Sequence, residues 1–558
     1  MKRVFANILI LLALLGGCNF RKYSSLPKNM LVTAVISDPK TFNPIVANET
    51  SSTDVLDPVF IGLTRLNPFT LRVEPQLASS WTISSDKRII TMNLKHNLYF
   101  SNGKPLTADD VVFTFKVIYS PDVLSSYGDI FTIKGKQIKV EKINKYTVEF
   151  ILPAPFYPFL ESLGGLPILP ANILEKPLSA DLFEKTWNIN TPPEDIIGAG
   201  PYVINTYVPS QYIIFKRNIH YYAKDQKGVH LPYINTRVIL IVPDQDTQYL
   251  KFVTGETDIY APRTDEVARL EQMSTKKHFT VKNIGLDTGI LFLSFNRNKR
   301  HYTKDGKINP KYEWFTNIDF LKAIAHSIDK QGIINDVYRG YGEPAVSFIP
   351  RNVPVYHLNM PDYNYDLSRA AALLKKAGFY LKDGKLYDKH GNRVEFDFFT
   401  NSGNQQRESV ASIILENITR LGIKVNYKPL DFNTLVEKLT TNFDWDCALI
   451  ALTGGYEPHD GANVLMSNGM LHIWDPREKT PATPWEKEID TLMNKGAESY
   501  NIEKRATYYK KVQLILHKEL PIIPIVRQED FVAYTDRLEN YRPTVFGNYR
   551  SEMMRLKQ

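Results

Sequence analysis

The sequence predicts a mixed α/β architecture of several lobes, and three observations carry that expectation. At 558 residues the chain offers roughly three or four domain-sized units with ample length for large cores. Its 43% apolar and 23% charged fractions are those of an ordinary globular protein, so disorder explains no large part of it. Segments with strand alternation and segments with helical spacing interleave from end to end without a fixed repeat.

The elements follow in order. Lys2 and Arg3 give a charged start, Val4 to Leu15 is apolar apart from Asn7, and small residues lead to Cys18. That is the layout of a secretory signal, and the apolar stretch is too short for a membrane span of about 20 residues. The cysteine after Leu15-Gly16-Gly17 resembles a bacterial lipobox. On this reading residues 1–17 are a lipoprotein signal peptide, Cys18 is lipidated, and 18–29 is a polar tether; a plain cleaved signal or an uncleaved anchor is the competing reading. Removing Lys2 and Arg3 takes the net charge from +8 to +6, scattered among nearly as many acids, which does not read as a nucleic-acid stripe. Only Cys447 remains beside Cys18, so no internal disulfide is expected. The apolar run from Cys447 to Leu452 reads as a buried strand with an inert thiol. No later stretch is long and apolar enough for a transmembrane helix.

Met30 to Ile36 reads as a strand stopped by Asp38-Pro39 and Asn43-Pro44. Ile89 to Leu94 alternates as a strand, 101–105 is a turn, and Thr107 with Asp110 forms an N-cap arrangement that opens a helix. Pro153 to Pro201, dense in proline and glycine, reads as a long irregular connection. Tyr202 to Arg217 and Thr236 to Val242 return to strand character, and helical spacing recurs over Ile318–Asp329 and Ser368–Ala377, the latter capped by Gly378. Asp383-Gly384 and His390-Gly391-Asn392 mark hairpin turns. Glu408 to Leu421 and Ile502 to Leu516 are helices, followed by the strands Ile423–Tyr427 and Pro521–Val526.

The sequence contains no G-x-S-x-G elbow, H-E-x-x-H, C-x-x-C or phosphate-binding loop. His459-Asp460 followed by His472 is the nearest approach to a metal or acid–base cluster, although solvated or capping side chains explain it more simply and no metal is expected. Asp444 and Asp446 bracket Trp445 at strand spacing, which reads as an acidic strand edge rather than a catalytic pair.

Glu74-Pro75-Gln76-Leu77-Ala78-Ser79-Ser80-Trp81, then Ser85-Asp86, then the run from Phe100 to Val111, resemble the signature of the extracytoplasmic solute-binding proteins of family 5, the dipeptide-, oligopeptide- and nickel-binding receptors of ABC importers. Gly198-Ala199-Gly200-Pro201-Tyr202 looks like the family's G-x-G-P-[YF] turn. Ala370 to Gly378 with Asp383-Gly384 looks like its later helix and hairpin, and Leu520 to Pro524 like its C-terminal segment. The likeness is collinear from about residue 30 to 530.

The resemblance implies a periplasmic-binding-protein-like fold of two lobes and three domains with a hinge and an interlobe ligand cleft. The expected domains are 30–67, 193–284 and 515–558 for a discontinuous domain I, 68–192 for domain II of the same lobe, and 285–514 for lobe II. It implies ligand contacts at Thr41, Phe42 and Asn43 after the first strand, at Phe432, and at Thr453, Gly454, Gly455 and Tyr456. Turn formation by Asn43-Pro44, a tight turn at Gly454-Gly455, and core packing of the aromatics compete with those roles. Where relatives place an aspartate for a peptide's α-ammonium this chain has Gly455, and Leu452 stands at the expected tryptophan. Unless Glu457 or Asp460 substitutes, ligands with a free α-amine should bind poorly.

The function expected is that of a monomeric, lipid-anchored extracytoplasmic receptor. It captures a peptide or peptide-like small molecule and delivers it to an ABC permease with its ATPase subunits, without catalysis or cofactor. A ligand-presenting sensor or chaperone-like receptor on the same fold, and a secreted hydrolase using His459 and Asp460, are the alternatives.

Overall fold

The structure is a computed structural model in which residues 29–557 are described. Cys18, the expected signal peptide and all but the last residue of the expected tether lie outside them.

The first strand, Met30–Val35, pairs in parallel with Thr236–Ile241, which continues antiparallel through Tyr212–Arg217 to Tyr202–Val208. A second four-stranded antiparallel sheet is built by Ala78–Ile83, Ile89–Leu94, Thr147–Ile151 and Lys139–Asn144. The helix Ala108–Ile118 packs on it, begun by the capping box of Thr107 and Asp110. One apolar core, from Phe42 through Phe150 to Ile241, joins the two sheets into a single lobe.

The second lobe is built on the strands Ile290–Phe295, Cys447–Leu452, Glu395–Asn401 and Lys424–Leu430. Every residue of Ile290–Phe295 is buried, because the sheet is covered on both faces. Strand alternation sends Leu291, Leu293 and Phe295 into a core with the helices Ile318–Ser327 and Gln405–Arg420, and Ile290 and Phe292 into one with Pro484–Glu498 and Ile502–Glu519.

Two neighbouring strands cross between the lobes. Ile522–Thr535 pairs through Ile522–Val526 with the second-lobe strand Ile290–Phe295, and from Glu529 onward with the strand Phe279–Leu286. Phe279–Leu286 itself reaches Ile290 across Asp287-Thr288-Gly289, where the Asp287 amide donates to the Gln528 carbonyl at 2.9 Å. The last crossing thus falls between Val526 and Glu529; residue 515, the expected boundary, sits inside the helix Ile502–Glu519. Beyond it the chain returns to the first lobe: Arg537 binds Asp258 at 2.6 Å and the Met30 carbonyl at 2.8 Å.

The lobes touch around the rim of the space they enclose. The Asn433 amide donates to the Asp38 carbonyl at 3.0 Å, the Met470 amide to Asp129 at 2.8 Å, and the Tyr157 amide to the Ala497 carbonyl at 2.7 Å. This is a closed arrangement.

Two sequence expectations are corrected here. The Pro153–Pro201 segment contains the helices Phe159–Gly165 and Ala171–Ser179. Pro158 and Pro170 immediately precede them, where a missing N–H costs nothing, so these prolines start helices instead of breaking them. Asp444 and Asp446 do not form one edge: Asp444 is exposed beside Lys438, whereas Asp446 is buried against Tyr302, Lys311 and the Asp397 amide.

Candidate ligand-binding cleft

The enclosed space has a central cavity of about 420 Å³, a recess of about 260 Å³ and a hinge-side cavity of about 470 Å³. The central cavity shares Asn48, Thr288, Leu452, Thr453 and Gly454 with the recess, and Asp287, Arg407 and Ala451 with the hinge side. Its walls come from both lobes: Asn48, Glu49, Thr50 and Val545 from the first, Phe432, Val436, Leu439, Ile450 to Gly454 and the loop Met470–Ile473 from the second.

Cys447–Leu452 pairs with Ile290–Phe295 along its whole length, but its parallel pairing with Glu395–Asn401 stops at Phe399↔Ala448. The Thr400 hydroxyl donates to the Leu449 carbonyl at 3.0 Å. From Ile450 to Leu452 the strand therefore turns a backbone edge without a ladder partner toward the cavity. Gly454 then passes so close to the hinge that a Cβ there would lie 1.9 Å from the Thr288 carbonyl oxygen. Only glycine fits. The Thr288 hydroxyl donates to the Gly454 carbonyl at 2.9 Å, fixing the Thr453-Gly454 turn to the hinge strand.

Of the residues singled out from sequence, Phe432, Thr453 and Gly454 line the central cavity, and Thr453 to Tyr456 line the recess. Thr41, Phe42 and Asn43 line none of these three cavities. Phe42 is core, edge-on to Tyr207 at 5.3 Å; the Asn43 amide donates to the Phe183 carbonyl at 3.0 Å; and the Thr41 hydroxyl donates to the Trp187 carbonyl at 3.3 Å. Their competing role in the turn after the first strand accounts for all of these contacts, and the wall is supplied instead by Asn48-Glu49-Thr50.

Charge is concentrated at the two ends of the space. On the hinge side burial raises the Asp287 carboxyl and, with Asp287 beside it, that of Asp530, while burial pulls the Arg407 guanidinium down. Arg407 donates to the Asn401 side-chain oxygen at 2.5 Å and borders both the central and the hinge-side cavities. At the other end Glu457 and Arg505 form an ion pair with both side chains almost wholly buried, and the guanidinium lies 4.4 Å over the ring of Tyr157 from the first lobe. With Glu457 so engaged, Asp460 is left exposed in the recess, its Oδ2 3.1 Å from where a Cβ on Gly455 would stand. Glu161 of the first lobe is half-buried, and burial, Asp460 and Glu457 push it up to about 9. Two acids, Asp460 and Glu161, thus share the recess end with a single cation already paired.

His459 and Asp460 do not join His472 in one site. His459 is buried edge-on to Phe156 at 5.2 Å, and burial with Arg505 pulls it down to about 3, so its ring is neutral. Cys447 is fully buried and burial raises its thiol, as expected of an inert core cysteine. Arg505 and Glu161 gave no sign in sequence: Arg505 is one charged residue among many on its helix, Glu161 is a lone acid on a short one, and their roles arise from lobes far apart in the chain.

The fold agrees with what the chain matches. Residues 72–469 fit the model of the bacterial extracellular solute-binding proteins, family 5 (middle region), and the chain belongs to that family. It is 29% identical over 533 residues to the Deinococcus radiodurans protein named "Probable ABC transporter-binding protein", covering 90% of this chain and 88% of the relative. It is 26% identical over 527 residues to the oligopeptide-binding protein AppA of Bacillus subtilis, covering 92% and 88%. The solved structure of that AppA with a nonapeptide superposes with a TM-score of 0.82 at 24% identity, covering 95% of this chain and 99% of that one. Among the described residues no helix is long and apolar enough to cross a membrane.

Proposed function

We propose that the protein captures a peptide or peptide-like solute in the interlobe cleft and hands it to an ABC permease while anchored through lipid on Cys18. The observation that carries this reading is the free backbone edge of Ile450–Leu452 facing a cavity walled by both lobes. An extended peptide adds to such an edge as a further strand, with main-chain hydrogen bonds giving affinity and side pockets giving selectivity. The mostly apolar central walls, including Phe432, Val436, Leu439 and Ile450, take side chains of varied shape.

The charged ends give the peptide a direction. Asp460, with Glu161 behind it, takes the place of the aspartate absent at Gly455 and receives the α-ammonium; Arg407 at the hinge side receives a carboxylate. Peptide binding by named relatives supports the substrate class, and the charged, apolar and small-residue leader supports the lipid anchor. Calorimetric titration with peptides of two to nine residues tests the reading: saturable one-to-one binding is expected. Absence of binding across that range, with a folded protein, overturns it.

A further inference from the structure

The loop that walls the central cavity is irregular from Met466 to Thr483, between the helices Ala462–Leu465 and Pro484–Glu498. Loops of that length without secondary structure are uncommon in compact domains, and ordered ones are usually functional. His472, which borders the cavity, and Glu478 of this loop meet Glu486 of the following helix in a buried cluster. His472 is fully buried, Glu486 is 3% exposed and Glu478 8%. One ligating atom from each lies within 4.8 Å of the others.

The hydrogen-bond pattern orients all three side chains toward one point. His472 Nδ1 sits 3.0 Å from the Val464 carbonyl, which accepts only from an N–H, so Nδ1 carries the hydrogen and Nε2 faces the carboxylates. Glu486 Oε2 accepts from the Thr483 amide at 2.8 Å and the Thr483 hydroxyl at 2.7 Å, and its Oε1 accepts from Trp474 Nε1 at 3.0 Å. Glu478 Oε1 accepts from the Ala482 amide. Such outer partners fix the tautomer and aim of metal ligands.

What remains lacks an aligned hydrogen bond. His472 Nε2 lies 3.3 Å from Glu478 Oε2 and 4.0 Å from Glu486 Oε1, yet neither Nε2 nor Glu478 Oε2 is aligned for a hydrogen bond with anything. Buried polar atoms left so are rare and costly. Among the described residues no lysine or arginine forms an ion pair with either glutamate. The nearby Arg297 donates through Nη2 to the Glu519 and Leu520 carbonyls, with its Nε left without a hydrogen-bond partner, and Arg300 Nη2 donates to the Arg477 carbonyl; neither forms an ion pair with the two glutamates.

We propose that His472 Nε2, Glu478 and Glu486 bind a divalent first-row transition ion of the zinc type, which clips the 466–483 loop into the wall of the cleft. Ligand bonds of about 2.1 Å in tetrahedral geometry place ligand atoms about 3.4 Å apart. The His472–Glu478 separation of 3.3 Å already matches that and the His472–Glu486 separation of 4.0 Å needs a sub-ångström contraction, with all three ligating atoms within 4.8 Å of one another. An imidazole nitrogen in the set favours zinc, cobalt or nickel over calcium or magnesium, which prefer all-oxygen shells.

The test uses the untagged full chain in detergent, stripped with EDTA and then loaded with ZnCl2 or CoCl2. The expected result is one ion per chain retained through gel filtration, a visible d–d absorption band with Co2+, and slower amide exchange confined to 466–486 on loading. Glu478→Gln and His472→Ala should each weaken binding at least tenfold. No retained ion, or binding unchanged in both variants, overturns the proposal and leaves an imidazolium held between carboxylates. Should neither variant fold, the wild-type exchange map decides: protection at 466–486 supports the site, and protection elsewhere or none refutes it.

Discussion

Replacing Asp460 by asparagine should separate peptides by the state of their amine. Asp460 is the exposed carboxylate of the recess, 3.1 Å from the Cβ position of Gly455, while Glu457 is taken by Arg505. An ammonium about 4 Å from a carboxylate gains about 4 kcal/mol at an effective dielectric of about 20, before desolvation is subtracted. Truncating one member of a close, desolvated charge pair typically loses about 2–5 kcal/mol of affinity. Asp460 is open to the recess and Glu161 shares the ammonium, so the loss belongs at or just below the lower end, about 1.5–3 kcal/mol. At 1.4 kcal/mol per tenfold that is roughly tenfold to a hundredfold. Calorimetric titration of matched free and N-acetylated tripeptides on wild type and Asp460→Asn measures it. The free peptide should weaken by that factor and the acetylated one hardly change. Equal losses for both, or a wild type indifferent to acetylation, would refute Asp460 as the ammonium anchor and return the recess to the reading in which Gly455 leaves free amines poorly bound.

Other outcomes follow from the same geometry. Glu161 is raised toward 9 by burial, Asp460 and Glu457, in a cluster that also holds Arg505, Tyr157 and neutral His459. The two named acids belong to the second lobe, so the closed cleft favours the protonated form. Closure is therefore fully supported below the ordinary carboxyl range near 4.5 and loses support as pH rises toward 9. N-acetylated peptides should bind more tightly at pH 6 than at pH 8.5, and Glu161→Gln should reduce that dependence, leaving the part due to Asp460, which desolvation and Glu457 push up to about 8; a profile unchanged by the variant contradicts it. Arg505→Met strands Glu457 in a site where both side chains are nearly inaccessible. Breaking such a pair costs about 3–5 kcal/mol, so the denaturant midpoint of the second lobe should fall clearly, and an unaltered midpoint would show the pair to be dispensable. Small-angle scattering should give a smaller radius of gyration with bound peptide, together with about 2.7 kcal/mol of added stability at a hundredfold excess over Kd; no change in either contradicts hinge closure. Cys18→Ala should abolish fatty-acid labelling, and persistent labelling would remove the lipid anchor from the account.

Local chemistry made much of the fold legible in advance. The capping box at Thr107 and Asp110, the strand Ile89–Leu94 and the hairpin at Asp383-Gly384 are set by residues within a few positions of one another. The two crossings were harder to place. Ile522–Thr535 is one continuous strand whose change of partner leaves no mark on its own residues, so the boundary expected at 515 falls within a helix. Within the cleft, Gly454 against Thr288 is a backbone constraint written in the sequence, and Phe432, Thr453 and Tyr456 also line it. At the charged ends Asp460 was legible as a possible substitute for the acid missing at Gly455, but Glu161 and Arg505 were not, because they meet it through tertiary packing, and Thr41, Phe42 and Asn43 lie next to a cavity-forming segment without entering the cavity.

The most direct test of peptide capture is mass spectrometry of whatever small molecule remains with the native protein after gentle purification. The account predicts one bound species per chain whose fragments are amino-acid residues and which an added tripeptide displaces. A bound species without peptide bonds, indifferent to any added peptide, would contradict it.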